Sequence, residues 1–205
     1  MEHAGVEHIL RVVDAALRAT FPDDYDARCM YAAFGVRDLL RAAGQPAEIL
    51  AGDFLCFSVS HDGRQALMDG FGSPSANPPS HFWVEAAGRR LDLGPSYLPR
   101  RSRFHAVPIP PLNWGLSAPL PLYLRYRERQ RCHPDVELAP DDPLVERLAG
   151  FRSTCARLSA SSPSPPWSWL LHGPGAVTRA ARSGDRWAQG ALHFLKVADR
   201  QALPF

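Results

Sequence analysis

The chain has 205 residues, 45% hydrophobic and 21% charged, which is ordinary for a globular protein that buries a sizeable core. Its formal net charge of +2 gives no reason to expect a nucleic acid or a membrane as partner. No run approaches the roughly 18 apolar residues of a spanning helix, and the N-terminal residues lack the apolar segment of a secretory signal. The four cysteines have no CxxC spacing, which predicts reduced thiols and a cytoplasmic location.

Two helices are predicted in the first quarter of the chain. Residues 4–19 carry apolar side chains at helical spacing, which predicts an amphipathic helix that packs on the core. A second helix is predicted over residues 27–43, with Asp26 as its N-cap and with Gly44 and Pro46 as its stop.

Cys29 falls in the first turn of this second helix, on its apolar face. The N–H groups and the dipole of a helix N-terminus stabilise a thiolate at such a position. Gly35, in the middle of the same helix, lowers helix stability and suggests the close approach of another element.

The apolar pattern of residues 47–60 predicts a strand pair or one bent strand, with a bulge or turn at Gly52 and Asp53. A turn is predicted at residues 61–63, and residues 65–79 are rich enough in Gly, Ser, Asn and Pro to predict a loop.

Residues 80–96 predict a β-hairpin. Alternation places His81, Trp83 and Glu85 on one face of its first arm. A two-residue turn at or next to residues 87–88 would put Asp92 on the same face as His81, whereas a three-residue turn would put them on opposite faces.

The second half of the chain is less regular. Residues 108–121 are Pro-rich and predict irregular or extended structure, and residues 122–131 alternate as in an edge strand. Helices are predicted within residues 142–156 and, as a single helix, within 173–198, with residues 159–166 as a linker.

Cys29, His81 and Asp92 together have the chemistry of a nucleophile, a base and an orienting acid. A neighbouring imidazole promotes thiolate formation, and a carboxylate fixes the tautomer and orientation of that imidazole. Cys132, His133, Cys155 and His172 fit no common zinc spacing, so neither a metal nor another cofactor is predicted.

Two segments resemble a known family. RCMYAAFGVRDLLRAAGQPAEILAGDF is similar to the Cys-helix segment of the transglutaminase-like proteins, a branch of the papain-like cysteine enzymes. HFWVEAAGRRLDLGPS is similar to that family's His-x-Trp-Val-Glu hairpin, which continues into Leu-Asp. The resemblance covers residues 27–96 and implies that Cys29 is the nucleophile, His81 the base and Asp92 the orienting acid.

Several further residues are candidates for contacts with substrate or oxyanion. The chain has no Gln upstream of Cys29 of the kind many papain-like enzymes use in the oxyanion hole, which leaves backbone N–H groups or Tyr25. Trp83 lies beside His81, and Arg100 belongs to a basic cluster that follows Asp92 and could bind a carboxylate or phosphate.

The sequence therefore predicts an α+β, papain-like domain in which a Cys-bearing helix packs on a mostly antiparallel sheet. Residues 1–107 would form the catalytic core, and residues 108–205 a Pro-rich extension that wraps it without being an independent domain. The expected function is acyl chemistry through a thioester, either hydrolysis or transfer, on a peptide, protein or small amide or acyl substrate.

Two alternatives stay open at this point. Cys29 could be a small core residue and His81 a satisfied strand histidine, in which case the protein is an inactive member of the family that acts as a binding or scaffold protein. Arylamine acetyltransferases share the Cys-His-Asp order, so an acetyl-CoA-dependent reaction is also open.

Overall fold

The computed structural model describes residues 3–71, 80–199, 203 and 205, which form an α+β arrangement of helices around a curled antiparallel sheet. In chain order the elements are α1 (His3–Thr20), a 3₁₀ helix (Tyr25–Ala27), α2 (Cys29–Ala42), β1 (Ala47–Val59), β2 (Ala66–Phe71), β3 (His81–Ala86), β4 (Arg89–Asp92), α3 (Gly94–Arg101), β5 (Leu112–Gly115), β6 (Leu124–Arg131), α4 (Val145–Ser159), α5 (Pro174–Arg182) and α6 (Arg186–Val197). None of the described helices is long and apolar enough to cross a membrane.

The long strand β1 organises the sheet. Residues 50–52 of β1 pair with both β3 and β6, and residues 54–56 pair with both β2 and β6. Because β6 occupies one edge of β1, strands β2 and β3 lie end to end along the other edge. β4 then pairs with β3, and β5 with β4, all antiparallel.

β1 is one strand with an irregularity, as one of the two sequence alternatives predicts. Its register against β6 shifts between Ala51 and Gly52. A Cβ atom on Gly52 would lie 2.0 Å from the carbonyl oxygen of Arg127, so β6 can approach only because residue 52 is glycine.

Helices cover the sheet in two groups with separate cores. α1, α2 and α4 pack together and share one apolar cluster with Ile49 and Val84, while α5 and α6 share a second cluster with Phe57 and Leu112. The close approach suggested by Gly35 is confirmed, since a Cβ atom there would lie 2.9 Å from the ring of Phe151 in α4.

The predicted N-cap of the Cys-bearing helix is wrong. Asp26 lies in the 3₁₀ helix, and its buried carboxylate forms ion pairs with Arg100 and Arg101 of α3. Arg28 occupies the N-cap position, with no side-chain capping bond. A buried carboxylate needs cationic partners, and this requirement outweighs the capping preference.

The predicted loop over residues 65–79 is also wrong in its first part. Ala66–Phe71 forms β2 because a tight turn after β1 returns the chain along that strand, where pairing with β1 overrides the weak β propensity of Asp69 and Gly70. Residues 72–79 of this predicted loop lie outside the described residues.

The second half departs from its sequence prediction at two places. The irregular segment 108–121 contains the short strand β5, and the single helix predicted within residues 173–198 is two helices. Gly184 has φ of +88° in the turn between them, and the carboxylate of Asp185 caps α6 by accepting the N–H of Ala188.

Residues 108–205 contribute β5 and β6 to the same sheet as residues 1–107. Hydrogen bonds between β1 and β6, and between β4 and β5, therefore cross the predicted boundary at residue 107. That residues 108–205 wrap the core without being an independent domain stays a prediction, which truncation after residue 107 tests.

Candidate active site

The hairpin formed by β3 and β4 brings His81 and Asp92 together. Its turn is the two-residue Ala87–Gly88, with φ of +49° and +70°, the backbone signs that a type I′ turn requires. Val84 pairs with Leu91, so the same register sets Asp92 across from Trp83 and diagonal to His81. The predicted sharing of one face by His81 and Asp92 is confirmed.

The carboxylate of Asp92 accepts hydrogen bonds from three groups. His81 Nε2 lies 2.7 Å from Asp92 Oδ2, and the hydroxyl of Tyr126 donates to the same oxygen at 2.6 Å. The other oxygen, Oδ1, accepts the backbone N–H of Gly94 at 2.7 Å. Both His81 and Asp92 are buried, so these bonds are shielded from water.

Packing fixes the plane of the His81 ring. The ring of Phe71 stacks on it with centroids 5.3 Å apart and an interplanar angle of 11°, and that of Phe54 lies 5.0 Å away on β1. At the edge of the imidazole, a Cβ atom on Gly94 would lie 2.5 Å from His81 Cε1, so only glycine fits there.

Cys29 is the first residue of α2 and is half-buried. Burial lowers the pKa of His81, but the charge and hydrogen bond of Asp92 and an interaction with the Cys29 side chain outweigh it and raise that pKa to about 10. Because Nε2 is committed to Asp92, Nδ1 is the nitrogen left for Cys29, and it has no well-aligned hydrogen bond with any described group. At neutral pH the buried imidazole is therefore an imidazolium that faces the Cys29 side chain.

Burial disfavours ionisation of the other three thiols. Burial raises the pKa of Cys56 well above its ordinary value and that of Cys155 to about 12. Burial also raises the pKa of Cys132, against the opposing charge of Arg37. These three residues therefore carry little thiolate at neutral pH.

Tyr25 and Arg100 are engaged with structural partners. Arg18 donates to the hydroxyl of Tyr25 at 2.9 Å, and the Arg100 guanidinium lies 4.7 Å from the centre of the Tyr25 ring. Arg100 also pairs with Asp26. The structure therefore shows both predicted contact residues holding the segment before α2.

Trp83 is buried behind His81, with ring centroids 6.2 Å apart, and its indole N–H has no partner among the described residues. It forms part of the wall of the imidazole pocket.

Sequence reasoning missed Tyr126 and Gly94. Tyr126 is 34 residues from Asp92 and reaches it only through the pairing of β6 with β1. No local sequence pattern therefore predicts this contact. Gly94 belongs to the hairpin motif, where a glycine two residues after the acid could have indicated a close contact.

Other features do not add to this site. A cavity of about 790 Å³ lies between the end of β1 and α6 and is lined by none of Cys29, His81 or Asp92. No group of three or more potential metal ligands occurs among the described residues.

Comparison with known proteins supports the fold class alone. The chain is similar to the protein described as genomics APC5867, with a TM-score of 0.50 and 17% sequence identity over 82% of this chain and 83% of that chain. No protein-family model matches the chain, and no curated protein sequence matches it.

Proposed function

We propose that the protein performs cysteine-dependent acyl chemistry through a thioester on Cys29, on a papain-like, transglutaminase-like fold. The observation that carries this proposal is the convergence of three residues: Cys29 at a helix N-terminus, the imidazole of His81 that interacts with it, and the carboxylate of Asp92 bound to that imidazole. This is the nucleophile, base and orienting acid of a cysteine triad.

The reaction follows from the charges of the site. The Cys29 thiolate attacks the carbonyl carbon of an amide or ester, forming a C–S bond and an oxyanion. The His81 imidazolium gives its proton to the leaving group as the C–N or C–O bond breaks, which leaves a thioester and a neutral imidazole. Water or an amine then attacks the thioester carbonyl and loses its proton to His81. The new C–O or C–N bond forms as the C–S bond breaks, so a carboxylic acid or an amide leaves and the thiolate and the imidazolium are restored.

The N-terminus of α2 provides donors for the oxyanion. The first N–H groups of a helix have no partner within the helix, and Cys29 occupies the first helical position. These groups and the helix dipole favour negative charge next to the sulfur atom.

Alkylation with iodoacetamide at neutral pH, mapped by mass spectrometry, tests the activation of the thiol. We expect Cys29 to react at least about tenfold faster than Cys132, which is a matched control because it is also a half-buried free thiol. His81→Asn should remove most of this difference. Equal rates at Cys29 and Cys132 would contradict the proposal.

Acylation tests the chemistry itself. Incubation with p-nitrophenyl acetate should acetylate Cys29 and release p-nitrophenolate in the wild type and in Cys132→Ser, and should release none above the uncatalysed rate in Cys29→Ser. A folded wild-type protein that releases p-nitrophenolate no faster than Cys29→Ser would favour the alternative of an inactive scaffold.

A further inference from the structure

The hydroxyl of Tyr126 and the imidazole of His81 share one oxygen of Asp92. The two donors lie at 2.6 Å and 2.7 Å from Oδ2, while Oδ1 accepts the N–H of Gly94. When two donors share an anionic oxygen, each reduces the electron density available to the other.

We propose that Tyr126 is a positioning residue that holds the Asp92 carboxylate in place and limits how strongly it binds the proton on His81. The proposal deepens the proposed function and rests on it for its catalytic meaning. The hydroxyl of Tyr126 donates to Asp92, and Tyr126 acts through that carboxylate.

Tyr126 is fixed for this role. Its ring packs edge-on against Trp83 with centroids 5.1 Å apart and lies 4.8 Å from the ring of Phe54. The Arg90 guanidinium lies 4.7 Å from the centre of the Tyr126 ring. Burial, followed by the negative charge of Asp92, raises the pKa of Tyr126 well above its ordinary value, so the hydroxyl keeps its proton and donates.

The other titratable groups around this pair do not replace Tyr126. Cys29 of α2 faces His81, and Cys56 of β1 lies near Asp92 but stays neutral because burial raises its pKa. Arg90 of β4 is paired with Glu85. Two further acids lie on neighbouring strands: Asp69 of β2 acts on Cys56, and Asp53 of β1 pairs with Arg127 and Arg129. Among the described hydroxyl side chains, Tyr126 is the one that donates to Asp92.

The bond from Tyr126 balances two effects of Asp92 on His81, orientation of the ring and stabilisation of its positive charge. A carboxylate bound by His81 alone would stabilise the imidazolium charge more strongly, so the proton on Nδ1, the nitrogen left for Cys29, would be released less readily to a leaving group. A carboxylate that shares its charge with Tyr126 still orients the ring through Nε2 but stabilises the imidazolium less. Tyr126 therefore tunes the proton transfer on which both the acylation and deacylation steps depend.

The test is an NMR titration of His81 in the full chain labelled with ¹⁵N-histidine. Tyr126→Phe keeps the ring and removes the hydroxyl, and we expect the pKa of His81 to rise by about half a unit to one unit. The proton on Nε2 should move downfield because its bond to Asp92 strengthens. Tyr123→Phe is the matched control, since Tyr123 is also buried but its hydroxyl is not bound to Asp92, and it should change neither signal.

A second substitution should lower the pKa of His81 while keeping the hydroxyl of residue 126. Incorporation of 3-fluorotyrosine at position 126 makes the phenol a stronger donor, and the pKa of His81 should fall. A titration that is unchanged with both substitutions, or that moves in the same direction with both, would overturn the proposal and leave Tyr126 as a satisfied buried hydroxyl.

These readouts are independent of acyl chemistry. A shift of the His81 titration without Cys29-dependent release of p-nitrophenolate would support the role of Tyr126 and refute the proposed function. Cys29-dependent release without any shift would do the reverse.

Discussion

Replacement of Gly94 by alanine tests the tightness of the imidazole pocket. The added Cβ atom would lie 2.5 Å from His81 Cε1 and 2.8 Å from Nε2, about 1 Å closer than the 3.4 Å at which ordinary contact begins. The ring cannot yield freely because Phe71 and Phe54 lie against it. His81, or the backbone at residue 94, must therefore move by roughly 1 Å.

Both stability and reactivity should respond to this displacement. Overpacking of a filled core costs about 1–3 kcal/mol, so the free energy of unfolding in urea should fall by that amount. A misplacement of about 1 Å in a catalytic group lowers rates by as much as about 100-fold, so acetylation of Cys29 by p-nitrophenyl acetate should slow by about 10- to 100-fold.

Gly150→Ala is the matched control for this substitution. Gly150 lies within α4, and a Cβ atom there would meet nothing within 4 Å. This variant should gain up to about 1 kcal/mol of stability and keep the wild-type acetylation rate. If Gly94→Ala behaved as Gly150→Ala does, the description of a closely packed imidazole would be refuted.

Four further predictions follow from the site and the sheet. Asp92→Asn should slow acetylation of Cys29 by about 10³- to 10⁴-fold while the circular dichroism spectrum stays that of a folded protein. The pKa of His81 is raised from 6.5 to about 10, so its contribution to stability is fully present below pH 6.5 and is lost as pH rises through about 10. The free energy of unfolding in urea should therefore be lower above pH 10 than below pH 6.5, and Asp92→Asn should make this difference smaller. Ala87→Gly should raise the free energy of unfolding by about 1 kcal/mol because it relieves a positive φ of +49°, and an unchanged urea midpoint would contradict the turn geometry. A fragment of residues 1–107 lacks β5 and β6 and should show no cooperative thermal transition, whereas a transition like that of the full chain would indicate two domains.

The parts of the site predictable from sequence are those that local geometry determines. Alternation along β3 and a two-residue turn suffice to place His81 and Asp92 on one face. The predicted start of α2 at residue 27 is two residues early, but it still places Cys29 in the first turn. The sequence does not show how far α2 lies from the hairpin, because that distance depends on packing between elements.

The parts that were missed depend on contacts between distant residues. Asp26 has the residue type and position of an N-cap, and a local pattern cannot show that it pairs with Arg101, 75 residues later. Residues 66–71 look like a loop because their strand character comes from β1 and not from their own composition. Tyr126 looks like one residue of an edge strand, and only the pairing of β6 with β1 brings it to Asp92.

The pairing of β6 with β1 also has a consequence for synthesis on the ribosome. Cys29, His81 and Asp92 emerge well before Tyr126, so a nascent chain carries the three reactive groups while one edge of β1 is still open. During that interval Asp92 lacks the hydroxyl donor that it has in the complete fold. β6, made after the other strands of this sheet, thus covers the open edge of β1 and completes the surroundings of the acid, which delays assembly of the finished site until residue 131 has emerged from the ribosome.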